Sequence, residues 1–138
     1  MTLRTQNSFF DDLIRGRINI GADTVKALLL TDTYVYSAAH TRRSNVTAFE
    51  VAATGGYTTG GQAITVTSTI DAPNTIYQFD AASFGAGGIR AQYVVYYKAR
   101  GGASSADEIL AVLDMGRWFQ PDGPFAVPAQ SLSLRVVA

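Results

Sequence analysis

The chain has 138 residues, a length that fits one domain with a single hydrophobic core. Hydrophobic residues make up 47% of it and charged residues only 16%, whereas typical globular domains carry about 25% charged residues. Two interpretations stay open for the low charge fraction. Either part of the surface faces a partner instead of water, or a compact β-domain carries many Thr, Ser and Gly residues on its outside.

Charge and cysteine content exclude several classes of function. The 11 basic and 11 acidic residues give a formal net charge of zero, which argues against nucleic acid as a partner. The chain contains no cysteine, so disulfides, thiolate nucleophiles and zinc–thiolate sites are excluded. The N-terminal residues lack the apolar stretch of a signal peptide, and no apolar run approaches the roughly 18 residues of a membrane span. We expect a protein made in a reducing cytoplasm and either kept there or assembled into something larger.

Residues 1–16 predict a short helical arm. Asn7 or Ser8 can cap its helix, and Gly16 is a natural stop. A helix of about eight residues is not stable alone. The arm must therefore dock on the rest of the domain or on a partner.

The rest of the chain has the period-two pattern of β-strands. We predict strands at residues 24–31, 62–70, 75–79, 89–99 and 108–114, and a last strand in which Leu132, Leu134 and Val136 alternate with polar residues. Apolar side chains on both sides of the strand at 89–99 suggest that both of its faces are covered. The segment 46–52 is compatible with a short helix or a strand, and Gly55–Gly61 predicts a turn.

About seven or eight strands separated by glycine, proline and Asx turns indicate an all-β fold. We predict an antiparallel β-sandwich or jelly roll with one short N-terminal helix. No linker or second zone of composition interrupts the chain, so residues 1–138 are predicted to form a single domain.

The sequence contains no recognisable catalytic or metal-binding pattern. His40 is the only histidine, and no G-x-S-x-G motif accompanies it. The adjacent acids Asp11-Asp12 and Asp107-Glu108 have diverging side chains in a helix or strand, so neither pair is expected to form a site by itself. We therefore predict no enzyme, no metal and no cofactor, with a carboxylate pair across a cleft as a remote alternative.

Aromatic and arginine side chains are the candidates for a partner-binding surface, because these types are enriched at the centres of interfaces. The segment from Arg117 to Phe125 is predicted to be a surface loop that is either an interface or the end cap of a sandwich. The interface candidates are Phe9, Phe10, Arg15, Arg17, Arg42, Arg43, Arg117, Trp118, Phe119 and Phe125. For the arginines in the pairs 15/17 and 42/43, solvated charge and docking to carboxylates of a partner both stay open.

Motifs in order along almost the whole chain resemble those of small structural proteins of tailed bacteriophage virions. They comprise Asn7-Ser8-Phe9, Asp12-Leu13, Gly16, Ile18, Ile20, Asp23-Thr24-Val25-Lys26, Leu29, Thr31, the turn Gly55–Gly61, Phe79-Asp80-Ala81, Ala91–Lys98 and Leu110–Gly116. Within that group the chain looks most like the capsid decoration, or cement, proteins of short-tailed phages, which include jelly-roll folds.

This resemblance implies a virion protein on the capsid surface, assembled in the host cytoplasm. Such proteins bind the outside of the shell, clamp neighbouring major capsid subunits and often form homodimers. We expect an isologous dimer through an edge strand or a sheet face, and no nucleic acid or membrane partner. The alternative function is a phage tail or receptor-binding module for a host surface glycan, with Trp118, Tyr96 and Tyr97 as the candidate aromatic platform.

Overall fold

A computed structural model describes residues 1–135, and these fold into antiparallel β-strands with one short α-helix. The strands are β1 (Thr2–Thr5), β2 (Val25–Leu30), β3 (Gln62–Ile64), β4 (Val66–Asp71), β5 (Asn74–Phe79), β6 (Ala82–Phe84), β7 (Ala91–Lys98), β8 (Ile109–Phe119), β9 (Phe125–Val127) and β10 (Gln130–Arg135). The α-helix is α1 (Phe9–Ile14), and 3₁₀ helices cover Arg43–Asn45, Thr47–Phe49 and Ser104–Ala106. The predicted all-β antiparallel sandwich with one short helix is confirmed. The strands outnumber the prediction because three- and four-residue strands are too short to show a period.

The strands form three sheets. A central sheet has the order β1-β8-β7-β2-β3, a three-stranded sheet has the order β10-β5-β4, and β6 pairs with β9. Strands β7 and β8 lie next to each other in the middle of the central sheet, and β2 pairs with the other edge of β7. The predicted strands at 24–31 and 89–99 are therefore the neighbours β2 and β7.

The central sheet is buried on both faces. In β7, Val94 and Tyr96 point into the larger of two hydrophobic clusters, while Tyr93, Val95 and Tyr97 point into the smaller one. Side chains alternate between the faces of a strand, so an uninterrupted apolar run must be covered on both sides. The prediction that the strand at 89–99 is covered on both faces is confirmed.

Different structures cover the two faces of the central sheet. The smaller sheets and α1 cover the larger cluster, to which they contribute Phe9, Phe79, Phe84 and Phe125. The long connection at residues 31–50 supplies the cover of the smaller cluster, chiefly through Tyr34 and Val46. The ring of Tyr34 packs edge-on against Tyr93 with 5.0 Å between the centroids. The segment 46–52, open between helix and strand, is a 3₁₀ turn followed by a single bridge between Glu50 and Leu30.

The N-terminal arm differs from its prediction in one respect. Residues 2–5 are the strand β1, paired with β8, and only Phe9–Ile14 is α-helical. The alternation of half-buried Leu3 and Thr5 with exposed neighbours extends over four residues, too few to be recognised in the sequence. Phe9 is fully buried and packs edge-on against Tyr77 at 6.4 Å, so the arm docks on its own domain.

Two further strand boundaries were wrong. The segment 62–70 is two strands, because the chain leaves the central sheet after Ile64 and β4 begins a different sheet at Val66. As a result Ile70, which the period-two pattern puts on one face with Ile64 and Val66, is 83% exposed. The predicted strand at 108–114 continues to Phe119, so Arg117 and Trp118 lie in a strand and not in a loop. Of the predicted last strand, Val136 lies outside the described residues.

The turn at Gly55–Gly61 is held tightly against β2. Gly61 has a φ of +77°, and a Cβ at this position would collide with the carbonyl oxygen of Ala27. The neighbouring Gly60 accepts a hydrogen bond of 2.6 Å from the Tyr97 hydroxyl and donates its N–H to the Glu50 carboxylate at 2.7 Å. Glycine is therefore required at position 61 both for its backbone angle and for space.

Replacing Gly61 with Ala should destabilise the protein far more than the same change at Gly88. Both glycines have nearly the same φ (+77° and +76°), but nothing lies within 4 Å of a Cβ built on Gly88. Gly88→Ala should cost about 1–2 kcal/mol through its backbone angle alone. Gly61→Ala should cost roughly 2 kcal/mol more, because backbone atoms of β2 must move. Urea unfolding followed by circular dichroism measures both, and equal losses would show that the turn tolerates a side chain.

Candidate partner-binding surface

The end of β8 bulges away from its partner strand. Ala91 faces Phe119 and Tyr93 faces Asp114, so two steps along β7 oppose five steps along β8. Within the bulge Gly116 has a φ of +86°, and its N–H donates a 2.8 Å hydrogen bond to the Asp114 carboxylate. A bulge of this kind changes the direction in which side chains point.

Trp118 leaves the bulge partly exposed and carries an arginine on its ring. Its exposed fraction is 45%, and the guanidinium carbon of Arg90 lies 4.0 Å from the indole centroid, a cation–π contact. The same Arg90 donates a 3.0 Å hydrogen bond to the Asp32 carboxylate, which lowers the pKa of Asp32. We call Asp32, Arg90 and Trp118 the Trp118 patch. One face of the indole is occupied within the chain.

An apolar groove lies at the same end of β8. It has a volume of about 430 Å³ and is lined by Met1, Met115, Phe119, Gln120, Pro121, Pro124, Phe125 and Ala126. Met115 and Phe125 are buried side chains of the core, whereas Met1 is largely exposed. Arg117 stacks on Phe119 with its guanidinium carbon 4.9 Å from the ring centroid. The groove residue Phe119 and Trp118 are thus consecutive in β8, and their side chains point to opposite faces of the strand.

The aromatic interface candidates separate into core and surface residues. Phe9 and Phe125 belong to the larger cluster, so their side chains stabilise the fold and face no solvent. Phe10 is 50% exposed and lies on the outer side of α1 with Ile14, which is 84% exposed. The sequence pattern could not separate Phe9 from Phe10, because a helix of six residues has too few turns to define a face.

Four of the arginine candidates are engaged within the chain. Arg15 and Arg17 bind Asp11 at 2.8 and 2.9 Å. Both contacts lower the pKa of Asp11. The remaining two arginines act at buried carboxylates: Arg43 binds Asp107 at 2.7 Å and Arg42 lies 3.9 Å from Asp12. Arg117, by contrast, forms no ion pair with the described residues. Among the candidate arginines, Arg117 is therefore the one without a carboxylate partner in residues 1–135, so its charge is available to another protein.

The adjacent acids Asp107 and Glu108 are buried, and each binds a different arginine. Arg100 holds Glu108 through two hydrogen bonds of 2.8 and 2.7 Å, while Asp107 binds Arg43. The two side chains diverge, as their adjacency predicted. The hydrogen bonds from Arg100 lower the pKa of Glu108, although burial opposes this shift. No three or more His, Cys, Asp or Glu side chains of residues 1–135 are grouped as a metal site.

Replacing Arg100 with Gln should lower the free energy of unfolding at neutral pH. It should also make this free energy change less as the pH falls into the acid range. Because the folded-state pKa of Glu108 lies below its value of 4.5 in an unfolded chain, the stabilisation is complete above that value. It is lost as the pH falls through the lower, folded-state pKa. The difference in unfolding free energy between the wild type and Arg100→Gln should therefore shrink towards low pH.

Urea unfolding at a series of pH values measures this difference. Arg15→Gln is the matched control, because the Arg15–Asp11 pair is exposed and solvent screens it. A difference between the wild type and Arg100→Gln that stays constant across the acid range would contradict the assignment to Glu108.

Several surface contacts could not be found from the sequence. Arg90 precedes β7 and Asp32 follows β2, so only strand pairing and the β8 bulge bring them to Trp118. Tyr96 and Tyr97, expected as parts of an aromatic platform, are both buried. A 3.0 Å hydrogen bond joins His40 Nδ1 to the Tyr34 hydroxyl. Both residues lie in the connection that covers the smaller cluster.

No family model, curated protein sequence or solved structure matches this chain. Among the described residues, no helix combines the length and apolar character needed to cross a bilayer.

Proposed function

We propose that this chain is a structural virion protein that binds the outside of a phage capsid and clamps neighbouring major capsid subunits. The observation that carries the proposal is that the end of β8, a strand of the central sheet, presents both the Trp118 patch and the apolar groove. Interfaces concentrate their binding free energy in such aromatic and arginine side chains. A rigid strand presents them with little loss of conformational entropy on binding.

The resemblance to phage virion proteins also supports the proposal, because several of the motif residues hold the fold together. Its motif residues include buried Phe9, and Asp23, which binds Lys98 at 2.9 Å. The Lys98 ammonium also donates a 2.6 Å hydrogen bond to the carbonyl of Arg17, so it ties the N-terminal segment to β7. Trp118 lies beyond the last motif, which ends at Gly116. We propose that the scaffold is of the virion-protein kind and that the docking surface is particular to this chain.

The chemistry of the surface suggests what the capsid subunit contributes. The groove suits an apolar side chain, and the uncommitted charge of Arg117 beside it suits a carboxylate. A net charge of zero places little long-range repulsion between copies bound close together on a shell.

Trp118→Ala should weaken binding to capsids while leaving the fold intact. The side chain is 45% exposed, so its loss removes contact area from the surface more than from the core. If Trp118 is central to the interface, we expect a loss of about 2 kcal/mol, roughly a thirtyfold rise in Kd. Co-sedimentation with shells assembled from the major capsid protein of the same phage measures the change, and circular dichroism verifies the fold.

Val35→Ser is the matched control, because Val35 is an exposed apolar residue that belongs to neither the Trp118 patch nor the groove. It should bind shells as the wild type does. Equal binding by Trp118→Ala and the wild type would remove the Trp118 patch from the interface. Failure of the wild type to bind shells at all would refute the cement function.

Recognition of a host glycan by a phage tail or receptor-binding module is the second candidate. The observation that favours it is that an exposed indole stands beside the polar groups of Arg90 and Asp32, since sugar rings stack on aromatic faces. Binding to a glycan array that is lost in Trp118→Ala, together with no binding to shells, would favour this function over capsid cementing.

A further inference from the structure

The three-stranded sheet extends beyond the core along β4. Val66 is buried, whereas each of the next five residues, Thr67–Asp71, is exposed. Because successive side chains of a strand point to opposite faces, this run of exposed residues means that neither face of β4 is covered after Val66. One edge of β4 pairs with β5 in unbroken register, and the sheet ends at the other edge.

The open edge of β4 lacks the features that usually keep an edge strand from pairing. It contains no lysine, arginine, proline or bulge, and its one charge is Asp71 at the end of the strand. Ile70 is 83% exposed. The other sheet edges differ, since β1 contains Arg4, β10 ends in Arg135, and β3, β6 and β9 have only three residues each. Among the described strands, β4 is therefore the edge most open to another strand.

We propose that this edge pairs with β4 of a second copy, antiparallel about a two-fold axis. With the axis at Ser68, Ser68 faces Ser68 of the second copy, and Thr67 faces its Thr69. The two Asp71 carboxylates then lie at opposite ends of the ladder, about 20 Å apart along the strand. A parallel pairing in register would bring them together. The uncharged centre of the strand is thus self-complementary, as an isologous interface requires.

This inference names the surface of a homodimer and does not depend on capsid binding. It predicts that the isolated wild-type protein is a dimer in sedimentation equilibrium. It also predicts that charges placed beside the two-fold axis control the dimer according to their sign, since facing residues on paired strands lie on the same side of the sheet.

The test compares two double variants at the same positions. Thr67→Lys with Thr69→Lys puts a lysine opposite a lysine twice, and should raise the dissociation constant about tenfold or more. Thr67→Lys with Thr69→Glu puts a lysine opposite a glutamate twice, and should restore the dimer in a salt-sensitive manner. Both positions are exposed in the single chain, so far-UV circular dichroism should be unchanged in each variant.

Ser131→Lys with Ser133→Lys is the matched control, because these serines are exposed on β10 at the opposite edge of the same sheet. This control should stay dimeric. A monomeric wild type, a dimer that withstands the two lysines on β4, or an open polymer broken by the β10 control would each overturn the proposal. Capsid binding by a monomeric wild type would leave the cement function standing while this inference failed.

Discussion

Burial of the central sheet on both faces is the constraint on which the rest of this structure depends. Strands β2, β7 and β8 carry apolar side chains on alternate sides, so each face exposes a hydrophobic layer that must be covered. The burial of a single large apolar side chain contributes about 1.5–3 kcal/mol. Each face therefore needs a cover, and the elements outside the central sheet provide these two covers.

The two covers differ in kind, and this difference determines which surfaces remain. One cover consists of short strands and α1, which place Phe9, Phe79 and Phe125 against the sheet. The other is the connection at residues 31–50, fixed by the ring of Tyr34 and by Val46. Neither cover buries Trp118 at the end of β8 or the far half of β4. The two surfaces that we propose for partners are thus the places where the sandwich continues beyond its core.

Buried carboxylates hold the loops to this sandwich. Asp107 binds Arg43, and Glu108 binds Arg100. The backbone of Arg42 also pairs with that of Glu108 in an isolated β-bridge. Leaving either carboxylate without its partner would leave a buried charge unpaired, which is strongly unfavourable. Arginines that appeared in the sequence as possible docking residues therefore have a structural role. Among the candidate arginines, Arg117 beside the groove is the one that forms no ion pair with the described residues.

Local patterns in the sequence were sufficient to determine the fold class and the central strands. The continuous apolar run around Val94 and Val95 specified a strand with two buried faces, because alternation leaves no other arrangement. Glycines at 55–61 indicated a turn with unusual backbone angles, and Gly61 has such an angle. These features depend on residues close together in the chain, so the sequence alone was enough to predict them.

Features that depend on residues far apart in the chain were decided only by the tertiary structure. Ile64 and Ile70 share a period-two pattern, yet they lie in different sheets, because the chain changes sheets between them. Trp118 meets Arg90 and Asp32 only after β7 has paired with β2 and β8 has bulged. These distant neighbours decide whether an aromatic or arginine side chain is buried in the core, bound in an ion pair or exposed at the surface. The sequence by itself therefore determined which segments are strands, and the packing of those strands decided which side chains remain available to a partner.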